Sequence, residues 1–77
     1  MGIWERAFAM KISQGLIVSE RKDSVFHIAK LMKRHDIGAV LIVEDGRLAG
    51  IISERDIVAR VIAEKKDPSK TMAEEIM

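Results

Sequence analysis

The residue types best suited to chemistry fall together in the run Gly50-Ile51-Ile52-Ser53-Glu54-Arg55-Asp56. A glycine, a hydroxyl and a carboxylate meet there, where an apolar strand gives way to an amphipathic helix. A helix start gathers backbone N–H groups at the positive end of the helix dipole, an arrangement that suits phosphate. Asp56, one turn in, is placed to accept hydrogen bonds from a ribose diol. Arg55 beside it, and Lys65, Lys66 and Lys70 further on, are candidate phosphate partners. The same spacing also has a purely structural reading. Ser-x-x-Asp is close to a capping box, in which hydroxyl and carboxylate each satisfy a backbone N–H. Spacing alone favours the cap, and the two roles are compatible, because a capping hydroxyl can also meet a phosphate.

No other group of residues competes with this one. The chain lacks a nucleophile–base–orienter set and a pair of carboxylates in contrasting environments, so catalysis is not expected. It has no cysteine, and His27 and His35 cannot build a zinc site alone. His27 reads as a half-buried helix residue, and His35 as a complement to a helix C-terminus. Met10, Met32, Met72 and Met77 read as core or interface filler. Neither a Gly-x-Gly-x-x-Gly run nor a P-loop lysine is present.

The elements that must hold the run in place are legible from periodicity. Ile3, Trp4, Ala7 and Phe8 share one face at helical spacing and form an N-terminal amphipathic arm over residues 1–15. That arm either packs on its own domain or touches a second chain. After a Gln14-Gly15 turn, Leu16 to Ser19 reads as a short buried strand. Asp23 or Ser24 caps a helix whose apolar positions Val25, Ile28, Ala29 and Met32 recur at i, i+3, i+4 and i+7. Ala39 to Val43 is a β-branched run of the kind buried on both faces, and Asp45-Gly46 turns it into a returning strand, Leu48 to Ile52. Ser53 then caps a second helix, with Ile57, Val58, Val61 and Ile62 on one stripe. It fades at Lys65-Lys66 and ends at Pro68. The result is a three-stranded sheet with two amphipathic helices in the order β-α-β-β-α, an α/β (α+β) fold preceded by a helical arm.

At 77 residues and a formal net charge of +1, the chain is one small domain with no basic face for nucleic acid. A domain of this size buries only ~60% of the surface its unfolded chain exposes. Without disulfide or metal, a partner surface is the remaining source of stability, so self-association is expected. The start carries Glu5 and Arg6 and does not resemble a signal peptide. The longest apolar run is too short for a bilayer. A soluble cytoplasmic protein with no membrane partner is the expectation.

Four segments in order resemble a CBS domain, named after cystathionine β-synthase. They are Asp23-Ser24-Val25 leading into Ala29-Lys30-Leu31-Met32, then His35-Asp36-Ile37-Gly38-Ala39-Val40, then Asp45 to Ile57, and finally Thr71-Met72-Ala73-Glu74-Glu75-Ile76-Met77. The resemblance covers residues 16–77. It implies a regulatory ligand-sensing module that pairs with a second copy, as in a Bateman module, and holds an adenosine-containing ligand in the cleft. Such ligands include AMP, ADP, ATP and S-adenosylmethionine; no cofactor is required. With one copy present, the pair is expected to be a homodimer. Carried over by position, Asp56 holds the ribose hydroxyls, Ser53 faces phosphate or ribose, and Gly50 allows close backbone approach. Ile17, Ile37 and Gly38 line the adenine slot, with Arg55 near the phosphate. Two departures stand out. Ile12-Ser13-Gln14 replaces the family's usual opening element, and residues 69–77 resemble the linker that opens a next copy, with Thr71 serving that copy's site or a partner chain's. The alternatives from other classes are a ligand-free dimerisation module and a fragment of a larger regulated enzyme or transporter.

Overall fold

A computed structural model of the chain describes residues 17–77. The expected N-terminal arm, with Trp4 and Phe8, lies outside the described residues, as do Leu16 and the Gln14-Gly15 turn. The elements follow the predicted order. Strand β1 (Val18–Glu20) leads into helix α1 (Val25–His35), and a hairpin of β2 (Ala39–Glu44) and β3 (Arg47–Ser53) follows. A second helix, α2 (Glu54–Ile57), continues as a π-helical stretch over Val58–Ile62, and Ala73–Glu75 form a single 3-10 turn. The sheet order is β1-β2-β3, with β1 parallel and β3 antiparallel to the central β2.

Local chemistry explains the boundaries. Ser24 caps α1 by accepting from the His27 N–H at 3.1 Å. At the other end Asp36 takes a left-handed conformation and its N–H closes on the Met32 carbonyl, while Lys33, Arg34 and His35 face the negative end of the dipole. The hairpin turns at Asp45 and Gly46, both at positive φ (51° and 75°), as a primed turn requires. Ile42 faces Gly50 but Val43 faces Leu48, so Ala49 is left over as a bulge.

The core is one cluster. Val25, Ile28 and Met32 from α1 meet Val40, Ile42 and Ile52 from the sheet, Val61 from the π-helical stretch, and Ala73 and Ile76 from the C-terminal segment. That last contribution is more than contact. The Val25 N–H donates to the Thr71 carbonyl at 2.8 Å and the Phe26 N–H to the Pro68 carbonyl at 3.0 Å, while Ala73 and Glu74 donate back to the Asp23 and Arg21 carbonyls. Residues 68–74 thus supply acceptors that the first turn of α1 cannot find within the helix.

Three expectations need correction. Strand β1 runs one residue past the predicted Ser19, because Glu20 pairs with Val43, and Ile17 lies outside it. Ala39 to Val43 is not buried on both faces. Val40 and Ile42 are buried, but Leu41 and Val43 are half-buried and Ala39 is exposed, because nothing described covers the outer face of the sheet. The second helix is not a continuous α-helix: from Val58 it widens, with the Ala63 N–H bonded to the Val58 carbonyl, and of its apolar stripe only Val61 is buried while Val58 and Ile62 stay exposed.

Candidate functional site

One end of the sheet collects most of the predicted site. The parallel pairing of β1 with β2 brings Ile17 to the edge where β2 begins, and Ala39 at the start of β2 pairs with Ser53 at the end of β3. The α1–β2 loop, with Ile37 and Gly38, reaches the same edge. It is tied down by the Glu54 N–H, which donates to the Gly38 carbonyl at 2.9 Å. Ile37 is half-buried against the core and its N–H donates to the Met32 carbonyl. Ile17, Ile37, Gly38, Ser53, Arg55 and Asp56 therefore gather around the junction of sheet and second helix.

At the junction, Ser53 and Asp56 form a complete capping box. The Asp56 N–H donates to the Ser53 hydroxyl oxygen at 3.2 Å, and Asp56 Oδ2 accepts from both the Ser53 N–H (2.8 Å) and the Ser53 hydroxyl (2.9 Å). These bonds have two consequences. The N–H groups of Glu54 and Asp56 already have acceptors, so the helix start offers fewer amides to an anion than its position suggests. The Asp56 carboxylate is also divided: Oδ2 belongs to the cap, whereas Oδ1 faces Arg60, whose Nε stands 3.7 Å away.

The same contacts set the electrostatics. The Ser53 N–H above all holds the Asp56 carboxyl below the usual carboxylate range; burial opposes it next in size, and the Ser53 hydroxyl and the Arg60 and Arg55 charges add to the lowering. Asp56 is thus an anion at neutral pH, partly exposed and flanked by two guanidinium groups. Arg60 was not singled out by sequence. Its signal is the i,i+4 spacing from Asp56, common on any exposed helix.

Other predicted residues lie elsewhere. Gly50 is further back along β3, opposite Ile42. The space a side chain would need there is taken by Met77, whose side-chain atoms stand 3.2 Å from where a Cβ would sit. Its close backbone approach in this structure is to Met77 of the same chain. Lys65 and Lys66 sit at the far end of the second helix from Ser53, and Lys70 follows in the loop beyond. Thr71, expected to face a neighbouring copy, is buried and donates to the Asp67 carbonyl at 2.9 Å. His27 is exposed rather than half-buried.

The junction is half-buried at Ser53 and Asp56 and exposed at Glu54 and Arg55. Two surface depressions, one along α1 at Phe26 and Lys30 and one at the hairpin end between Arg21 and Arg47, both lie away from Ser53 and Asp56. The outer face of the sheet next to it is apolar: Val18, Leu41, Val43, Leu48 and Ile51 share it by strand alternation and cross-strand pairing. Ile51, directly opposite Leu41, is 53% exposed. Among the described residues no helix is long and apolar enough to cross a membrane, and no group of three His, Cys, Asp or Glu side chains is placed to hold a metal ion.

Known proteins match both sequence and fold. Residues 12–63 match the family model of the CBS domain. The CBS domain-containing protein YhcV of Bacillus subtilis (strain 168) is 43% identical over 49 residues, covering 64% of this chain and 34% of its own. A CBS-domain protein from Burkholderia ambifaria MC40-6, assigned to signal transduction, superposes with a TM-score of 0.78 at 35% identity, over 80% of this chain and 46% of the other. The hexameric CBS-CP12 protein from bloom-forming cyanobacteria superposes at 0.75 with 28% identity, over 83% and 36%. The chain spans about a third of the length of the curated relatives it matches.

Proposed function

The chain belongs to the CBS-domain family, whose members are commonly regulatory and usually non-catalytic, and from that premise we propose that it senses an adenosine-containing nucleotide in a cleft completed by a second copy. The ligand class is AMP, ADP, ATP or S-adenosylmethionine. Asp56 Oδ1 is the acceptor for the ribose diol, a charge-assisted contact, and Ile17, Ile37 and the Gly38 backbone form the apolar side that receives the purine. Arg55 answers the phosphate. The observation that carries this reading is the division of the Asp56 carboxylate: one oxygen is bound into the cap, and the second faces Arg60 at the sheet–helix junction. Pairing is supported by the apolar outer face of the sheet beside that junction, which the described residues leave uncovered. A ligand that bridges two copies regulates only insofar as it binds one relative arrangement better than the other.

The test is a thermal-shift and calorimetric titration with AMP, ADP, ATP and S-adenosylmethionine. A ligand at 100 times its Kd stabilises the folded state by ~2.7 kcal/mol, which moves the Tm measurably. A shift that Asp56→Ala abolishes while the oligomer persists supports the reading. Absence of any shift, in a chain that melts cooperatively as an oligomer, sinks it in favour of a module that serves assembly alone.

A further inference from the structure

The Asp56 carboxylate and the C-terminal segment share one side chain. The Arg60 guanidinium places Nε 3.7 Å from Asp56 Oδ1 and Nη1 3.5 Å from the Ile76 carbonyl oxygen. Ile76 is buried, and both its N–H and that of Met77 donate to the Ala73 carbonyl, at 3.1 and 3.0 Å. The Met77 side chain in turn lies over Gly50 on β3. The Arg60 side chain is 61% exposed, so it is free to leave its place without disturbing the core.

We propose that Arg60 is a positioning residue that couples the two regions: a nucleoside diol that takes Asp56 Oδ1 displaces the Arg60 guanidinium, and with it the hold on the Ile76 carbonyl. This inference rests on the nucleotide reading above and adds a direction to it. Oδ2 is bound into the cap, so a diol has to approach through Oδ1, the oxygen Arg60 already faces. Occupancy at the sheet–helix junction is thereby read out as loosening of residues 76 and 77. Linkage makes the coupling reciprocal, so whatever frees Arg60 from Asp56 in advance makes the diol bind more tightly.

The experiment is hydrogen exchange of the Ile76 and Met77 amides, resolved by NMR, in the wild-type chain and in Arg60→Gln and Arg60→Lys, each with and without AMP. Without ligand, both variants are expected to exchange about two- to fivefold faster than wild type, the size of one lost hydrogen bond of this kind. Lysine behaves like glutamine here, because an ammonium keeps the charge but lacks the fork that spans both partners. AMP accelerates exchange in wild type by a similar factor, leaves Arg60→Gln unchanged, and binds that variant about two- to fivefold more tightly by calorimetry. Equal exchange in ligand-free wild type and Arg60→Gln overturns the proposal, as does acceleration by AMP in both. Failure of AMP, ADP, ATP and S-adenosylmethionine alike to bind wild type overturns the nucleotide reading and with it the ligand-driven step, while the ligand-free comparison still decides whether Arg60 holds the segment.

Discussion

Asp23 and Asp56 each accept from a serine hydroxyl and a backbone N–H. Asp23 accepts from the Ser19 hydroxyl at 2.6 Å and the Glu20 N–H at 2.8 Å, and Asp56 accepts from Ser53 in the same manner. Ser19 most of all, and the Glu20 amide, hold the Asp23 carboxyl below its ordinary value, as Ser53 does for Asp56. A carboxyl whose pKa is depressed in the folded state contributes stability that is present above its unfolded value and lost as pH falls through the folded one. Urea melts are therefore expected to be flat from pH 7 to ~5 and to weaken below ~4, the ordinary aspartate range. Asp23→Asn flattens that acid limb; an unchanged limb in the variant refutes the assignment. In the sequence Asp23 is one of two candidate caps for α1 and part of a CBS-like segment, and the structure gives the cap to Ser24. The Ser53–Asp56 box was legible, because Ser-x-x-Asp encodes both of its bonds. The partition of the carboxylate between Oδ1 and Oδ2 was not, because spacing fixes which residues meet and not which oxygen each takes.

Among the elements, the hairpin was the plainest in the sequence, since Asp45-Gly46 supplies two residues that tolerate positive φ between apolar runs. The π-helical stretch was hidden. Ile57, Val58, Val61 and Ile62 recur at a spacing that fits an α-helix, and one widened turn changes the hydrogen-bond register without changing residue types. The apolar run Ala39 to Val43 misled in a useful way. Strands this apolar are buried on both faces, and the described chain covers only one. On the proposed pairing, that face, uncovered among the described residues, is where the second copy sits. Ile51→Lys puts a charge opposite Leu41 on that face, and sedimentation is expected to show a shift toward monomer with the far-UV circular dichroism and the cooperativity of melting retained. A variant that stays associated places the interface elsewhere, with the exposed Val58 and Ile62 of the second helix as the next surface to examine.

At the scale of the whole molecule, the chain closes on itself through its C-terminal segment. Sequence suggested that residues 69–77 open a further copy. The structure also makes them part of this domain, with Ala73 and Ile76 in the core and Met72 bridged to Ser24. Nothing in the local pattern signals this, because a single 3-10 turn and a few borrowed amides leave no periodicity. Ile76→Ala is expected to cost ~2–5 kcal/mol in urea unfolding, as a core isoleucine does, whereas a mere linker residue costs within ~0.5 kcal/mol. The carbonyls of Pro68 and Thr71, which receive the first N–H groups of α1, impose an order in time as well as in space. During synthesis α1 leaves the ribosome long before its acceptors exist, so the helix start stays open to water or to a chaperone until more than thirty further residues have followed. That contact is non-local where the hairpin turn is local, so the first turn of α1 is fastened by residues far along the chain and not by its neighbours.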